Sequence, residues 1–167
     1  VMSFELGNNQ KNARVDLEWL VPVIKMLEKQ IGTELYIKSV DYKESDSLKI
    51  TNMWNSCFVK NNNNVNDVNY LNNTNLVNKI LNFSSSYQSI GDLLNKLMVW
   101  KPVYDFDKLQ KVVKDLLDNG FLTSNLRVSL LCSDPLIEIL KVCKNFHYES
   151  DIILQLEQIN LLLTEYN

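Results

Sequence analysis

The sequence predicts an α+β fold: a small antiparallel sheet of about three strands with a three-helix unit, flanked by an N-terminal helix and a C-terminal helical hairpin. Apolar residues recur at helical spacing between residues 16 and 31 and again after residue 74. Between them, residues 34–72 contain short alternating stretches rich in residues that favour β-strands. The order of these stretches gives the fold class.

The first helix is predicted to begin after Asp16, a good N-cap residue, and to end at Gly32. One helical stripe is formed by Leu17, Leu20, Ile24, Leu27 and Ile31. Pro22 lies too late for the first turn of this helix. The helix is therefore expected either to kink there or to begin near Val21.

Two alternating stretches, 34–42 and 48–54, are joined by a polar segment and predict a β-hairpin. Residues 60–69 form an Asn-rich, low-complexity loop. At its end, residues 68–72 predict a short third strand.

Three further helices are predicted, each preceded by a side chain that suits a helix N-terminus. They span 75–82 after Thr74, 90–98 after Ser89 and 106–119 after Asp105. Gly120 ends the last of them, and residues 121–123 and 126–131 are expected to be extended.

Asp134 and Pro135 open another predicted helix that runs to about Cys143, and Ser150 caps a final one. These two are expected to pack as a hairpin. The predicted organisation is an N-terminal segment and helix (1–33), a central element (34–131) and the C-terminal hairpin (132–167). Because the chain begins with Val1 and its last apolar stripe reaches Tyr166, we expect it to be a piece of a longer protein.

Composition restricts the functions open to this chain. The net charge is −3, with 17 Lys and Arg residues against 20 Asp and Glu, so the clustered positive field that nucleic-acid binding requires is weak. One His and three Cys without a CxxC pair predict no metal site and reduced thiols in a cytoplasmic protein. No cofactor is expected. No nucleophile, base and orienting group form a recognisable set, which disfavours a stand-alone enzyme.

Strands, then three helices, then an extended segment resemble the order of a winged-helix module. SIGDLL at 89–94 and DNGFL at 118–122 carry this resemblance. Such modules either insert the third helix into DNA or bind a peptide as an added strand beside that helix. With RVDLEWL at 14–20, GFLTSNLR at 120–127 and SDPL at 133–136, the chain resembles the N-terminal part of lantibiotic dehydratases over almost its whole length.

The resemblance implies a much larger enzyme that transfers glutamate from glutamyl-tRNA to Ser and Thr of a precursor peptide and then eliminates it. It also implies that this piece lies in the glutamylation part and includes a winged-helix element that holds the leader of the precursor. The arginine-rich catalytic segments of that family have no counterpart here. Arg14 and Arg127 belong to the structural pattern, and no catalytic residue is assigned.

The candidate peptide groove lies between the strand at 68–72 and the helix at 106–119. Its predicted peptide-binding residues are Val68, Tyr70, Leu71, Lys108, Lys111 and Val112. The open edge of a strand supplies backbone donors and acceptors, and side-chain pockets supply specificity. The alternatives are that the apolar members are core residues and that the lysines, interspersed with Asp107, Asp115 and Asp118, form a solvated face.

Three hypotheses follow. The first is a leader-binding fragment of a dehydratase that is not catalytic alone, with the precursor peptide as partner and glutamyl-tRNA as a partner of the full-length enzyme only. A complex with a cyclase and transporter, a homodimer, and peripheral attachment to the inner membrane through partners remain open. The second is a winged-helix DNA-binding protein, and the third is a stand-alone enzyme.

Overall fold

The computed structural model describes residues 15–40, 47–50, 69–129 and 132–166. The helices are α1 (Leu17–Ile31), α2 (Asn75–Phe83), α3 (Ile90–Trp100), α4 (Phe106–Asp118), α5 (Pro135–Asn145) and α6 (Asp151–Tyr166). The strands are β1 (Tyr36–Ser39), β2 (Ser47–Ile50), β3 (Asn69–Asn72), β4 (Gln88–Ser89) and β5 (Leu122–Ser124). These elements confirm the α+β class and its three-stranded antiparallel sheet.

The helix boundaries follow the predicted caps. Asp16, Thr74, Ser89 and Asp105 each accept a backbone N–H from the first turn of the helix that follows. Each cap satisfies a donor that has no partner within the helix. Of the two alternatives for the first helix, α1 begins at Leu17 and contains Pro22 within it.

The end of α4 explains why glycine is needed at position 120. The Gly120 N–H donates to the carbonyl of Leu117 at 3.2 Å, and the Phe121 N–H donates to that of Leu116 at 2.9 Å. These two bonds define a Schellman motif, which requires a left-handed residue. Gly120 has a φ of 81° and adopts that conformation without a Cβ clash.

Strand pairing differs from the sequence prediction. The predicted hairpin between residues 34–42 and 48–54 is wrong, because β1 is the central strand of a sheet in the order β4–β1–β5 and β2 pairs instead with β3. Both sheets are antiparallel; Ile37 is opposite Gln88 on one side and Ser124 on the other. Alternation along a strand specifies which residues face the core but not which distant strand is the partner.

The segment after β5 also departs from the expected extended form. Arg127 N–H donates to the carbonyl of Ser124 at 3.2 Å, which closes a turn directly after the strand. Residues 126–129 form no strand, and β5 pairs with β1 from upstream in the chain. The three-helix unit and its sheet are therefore present, with a central strand that precedes the unit in sequence.

One buried apolar cluster holds these elements together. It combines α1 (Leu20, Ile24, Leu27), the α2–α4 unit (including Ile80, Leu93, Val113) and the C-terminal helices (Leu136, Ile139, Ile153, Leu156). The predicted helical hairpin is formed by α5 and α6, which pack together. The cluster draws on described residues from all three predicted parts of the chain, and the division at residues 33 and 131 stays a prediction.

The C-terminal hairpin is also tied to the sheet by a hydroxyl group. The Tyr36 N–H donates to Tyr148 Oη at 3.0 Å, and Asn125 Nδ2 donates to the same oxygen at 3.2 Å. Tyr148 is buried, so these bonds satisfy a polar atom that would otherwise be costly to bury. They connect β1 and the end of β5 to the segment between α5 and α6.

Candidate peptide-binding surface

The strand side of the predicted groove lies on the two-stranded β2–β3 sheet. Tyr70 and Leu71 are in β3, opposite Lys49 and Leu48 of β2. The Leu71 side chain is half-buried and packs against the apolar cluster. Val68, like the Asn-rich loop up to residue 68, lies outside the described residues. Of the strand-side residues, Leu71 therefore has a packing role in addition to its predicted binding role.

The helix side of the predicted groove lies on α4. Lys108 and Lys111 are exposed, whereas Val112 is half-buried against the apolar cluster. Leu109 and Val113 are at most 1% exposed, which agrees with the interpretation that the main stripe is core. The two exposed lysines are therefore accessible to a ligand, whereas Val112 is only partly accessible.

The strand side and the helix side of the predicted groove pack against different elements. α4 packs mainly against α3 and β5, whereas β3 packs mainly against β2. The sequence-predicted groove assumed that the third strand along the chain lies directly beside α4. Instead, the strand packed against α4 is β5, at residues 122–124.

A cleft does run along α4, but its second wall is α1. We call it the α1–α4 cleft; its volume is about 480 Å³. It is lined by Lys25, Glu28, Lys29, Gly32, Leu35, Ile90, Asp107, Gln110, Lys111, Val113, Lys114, Leu117 and Asp118. Lys111 is the one sequence-predicted site residue among them. The lysines of α1 were missed because nothing in the local pattern indicates that α1 lies across from α4.

A buried ion pair borders this cleft. Arg127 Nε donates to Glu28 Oε1 at 2.7 Å and Arg127 Nη2 donates to Glu28 Oε2 at 3.0 Å. Arg127 Nη1 also donates to the Leu117 carbonyl at 3.0 Å, and Ser124 Oγ donates to Glu28 Oε1 at 2.6 Å. The Arg127 and Glu28 side chains are 1% and 7% exposed. The pair therefore joins α1, the end of α4 and the turn after β5.

These contacts agree with the expectation that Arg127 has a structural role. Glu28 was not singled out in the sequence, although a signal exists: it follows Leu27 and lies four residues after Ile24, on the apolar side of α1. A carboxylate at such a position is rarely buried without a partner.

Of the other reactive side chains in the described residues, Cys143 and His147 do not line this cleft. Within the described residues, no group of three or more His, Cys, Asp or Glu side chains is arranged to hold a metal ion. Burial raises the pKa of the Cys143 thiol to about 11, which keeps it protonated and unreactive at neutral pH. His147 is exposed and has a φ of 55°, at the end of α5. In the described part of the chain, no helix is long and apolar enough to cross a membrane.

Comparison with known proteins agrees with the family resemblance found in the sequence. The family described as "Lantibiotic dehydratase, N terminus" matches residues 3–167, and the chain belongs to this family. This membership ties the chain to lantibiotic biosynthesis and confirms the resemblance identified in the sequence.

Two relatives show how the chain relates to larger proteins. It is 27% identical over 183 aligned residues to the subtilin biosynthesis protein SpaB of Bacillus subtilis, covering 99% of the chain and 16% of SpaB. Its fold is similar to part of the crystal structure of the tRNA-dependent lantibiotic dehydratase MibB from Microbispora sp. 107891. That match has a TM-score of 0.71 at 15% identity and covers 93% of the chain and 16% of MibB. The chain thus spans about one sixth of the length of these relatives.

Proposed function

We propose that this chain is the leader-recognition region of a lantibiotic-type dehydratase. In this proposal it binds the leader of a ribosomally made precursor peptide by strand addition. The full-length enzyme carries out glutamyl-tRNA-dependent glutamylation and dehydration of Ser and Thr. Family membership and the tRNA dependence named for MibB support this proposal. The fragment alone is expected to bind without catalysing.

The observation that carries the proposal is the pairing of β3. Among the described strands, β2 is the one that pairs with β3, so no strand within the described residues occupies the opposite edge of β3. The far side of β5 is less suitable, because Ser124 already accepts from Arg127 N–H and donates to Glu28. Unpaired strand edges bind extended peptides through backbone hydrogen bonds, and neighbouring side chains select among sequences.

The test is a titration of the chain with the leader peptide encoded beside its gene, followed by leaders that are N-methylated at one amide each. Successive amides of a strand point to opposite sides, so only every second methyl group would block pairing with β3. Each lost backbone hydrogen bond is worth about 0.5–1.5 kcal/mol, so each blocking methyl group should weaken binding by roughly 2- to 12-fold.

The control is the same set of methylated leaders measured on a Leu71→Pro variant whose fold is checked by circular dichroism. Strand addition is supported if methylation weakens binding at every second position of the leader and if this alternation is absent in the Leu71→Pro variant. Failure of the folded chain to bind any leader, or an effect of methylation without a period of two, contradicts it.

The alternative of a winged-helix DNA-binding protein has less support. Lys111 and Lys114 line the α1–α4 cleft together with Asp107 and Asp118, which offset part of their positive charge. The hallmark of DNA binding would be an affinity that falls steeply with salt in a gel-shift assay. A cyclase–transporter complex, a homodimer and a cytoplasmic location with attachment to the inner membrane through partners remain part of the proposal for the full-length enzyme.

A further inference from the structure

The α1–α4 cleft is lined by more basic than acidic side chains, and the strand-addition proposal assigns no role to this excess of positive charge. Four lysines line it: Lys25 and Lys29 from α1, and Lys111 and Lys114 from α4. All four are exposed, and in the described part of the chain none lies within ion-pair distance of a carboxylate. Of the three acidic lining residues, Glu28 is already paired with Arg127.

Apart from the paired Glu28, the buried residues that line the cleft are apolar. Leu35, Ile90, Val113 and Leu117 contribute to its lining, and all four belong to the buried cluster. An apolar base between two cationic rims favours a ligand that carries apolar side chains flanked by negative charges.

The shape of the cleft limits the ligand further. Its α4 wall runs from Asp107 to Asp118, which at about 1.5 Å per residue is roughly 16 Å, or the length of about five extended residues.

We propose that the α1–α4 cleft binds an extended acidic peptide segment of about five residues, with carboxylates on the lysine rims and alternate apolar side chains on the base. This site is separate from the β3 edge and does not depend on leader binding there. Residues i, i+2 and i+4 of an extended chain point to one side, so alternation of acidic and apolar residues matches the two surfaces of the cleft.

The probe is a fluorescently labelled peptide, acetyl-Glu-Leu-Glu-Leu-Glu-amide, titrated against the whole chain at low and high salt. Binding should weaken as salt rises, because the rim contacts are exposed and screened. The Lys29→Glu/Lys111→Glu variant changes one lysine on each wall and should lower the affinity by at least about tenfold. The matched control is Lys144→Glu, an exposed charge reversal on α5 outside the cleft, which should leave the affinity within about twofold.

Two altered probes and one more variant distinguish binding in the cleft from general charge attraction and from binding elsewhere on α4. Replacement of both leucines in the probe by serine should weaken binding, and the probe with Lys in place of Glu should not bind. No binding of the acidic probe to the folded chain, equal binding of the acidic and basic probes, or an unchanged affinity of the double variant would overturn the proposal. Loss of affinity on Lys108→Glu, an exposed residue of α4 that does not line the cleft, would also overturn it.

Discussion

Arg127→Met should destabilise the chain by about 3–5 kcal/mol, the usual cost of removing one member of a buried ion pair. Arg127 donates twice to Glu28 and once to the Leu117 carbonyl, and its side chain is only 1% exposed. The variant keeps most of the side-chain volume but leaves the Glu28 carboxylate buried, with the Ser124 hydroxyl still donating to it. The cost therefore comes mainly from an uncompensated charge rather than from a cavity.

The double variant Glu28→Leu/Arg127→Met should recover most of that loss, because a buried pair replaced by apolar groups of similar size is often neutral. It should not recover all of it. Ser124 is fully buried and would lose the acceptor for its hydroxyl, at a cost of about 1–3 kcal/mol. Adding Ser124→Ala should remove that remaining penalty.

The assay is urea unfolding of five proteins, namely the unchanged chain, the single variants Arg127→Met and Glu28→Leu, the double variant and the triple variant. Unfolding is followed by far-ultraviolet circular dichroism and analysed by linear extrapolation. A domain of this size is expected to have a free energy of unfolding of about 5–15 kcal/mol, so each variant should remain folded without denaturant. A loss of less than about 1 kcal/mol on Arg127→Met, or a loss in the double variant equal to the sum of the two single losses, would show that Glu28 and Arg127 are not a coupled buried pair.

Two further predictions concern helix ends and the buried thiol. Gly120→Ala should lower the free energy of unfolding by about 1–2 kcal/mol, because φ at this position is 81°. His147→Gly should raise it by up to about 1 kcal/mol, because His147 has a φ of 55° that favours glycine. Equal effects of the two substitutions in urea unfolding would contradict this prediction. Cys143 should be alkylated by iodoacetamide at pH 8 far more slowly than the half-buried Cys132, as measured by peptide mapping, because burial raises the pKa of Cys143 to about 11. The raised pKa means that the folded state disfavours the thiolate. The contribution of Cys143 to stability is therefore constant below its ordinary pKa of 9.0 and falls as pH rises from there towards 11. Cys143→Ala should reduce this fall, leaving the part due to Tyr148, whose pKa is also raised by burial; a pH profile unchanged by the substitution would count against it.

The candidate site shows the limit of local reasoning. Lys111 was identified from its place on an exposed face of α4, and it does line a cleft. Its expected counterpart was the third strand, but the wall opposite α4 is supplied by Lys25 and Lys29 of α1. Lys111 follows Lys25 and Lys29 by about eighty positions in the sequence. A helical pattern indicates which side of a helix is apolar, but it does not indicate which other helix packs against that side.

The sequence by itself determined the helices, because their signals are local: Asp16, Thr74, Ser89 and Asp105 cap them, and Gly120 ends α4 in a conformation that favours glycine. It also identified the family through motifs in register. Only the tertiary structure decided the strand partners. β4 has two residues and no pattern of its own, and β1 pairs with strands about fifty and eighty-five positions later. Such pairing depends on how the apolar faces of distant segments close one core, which no short stretch of sequence specifies.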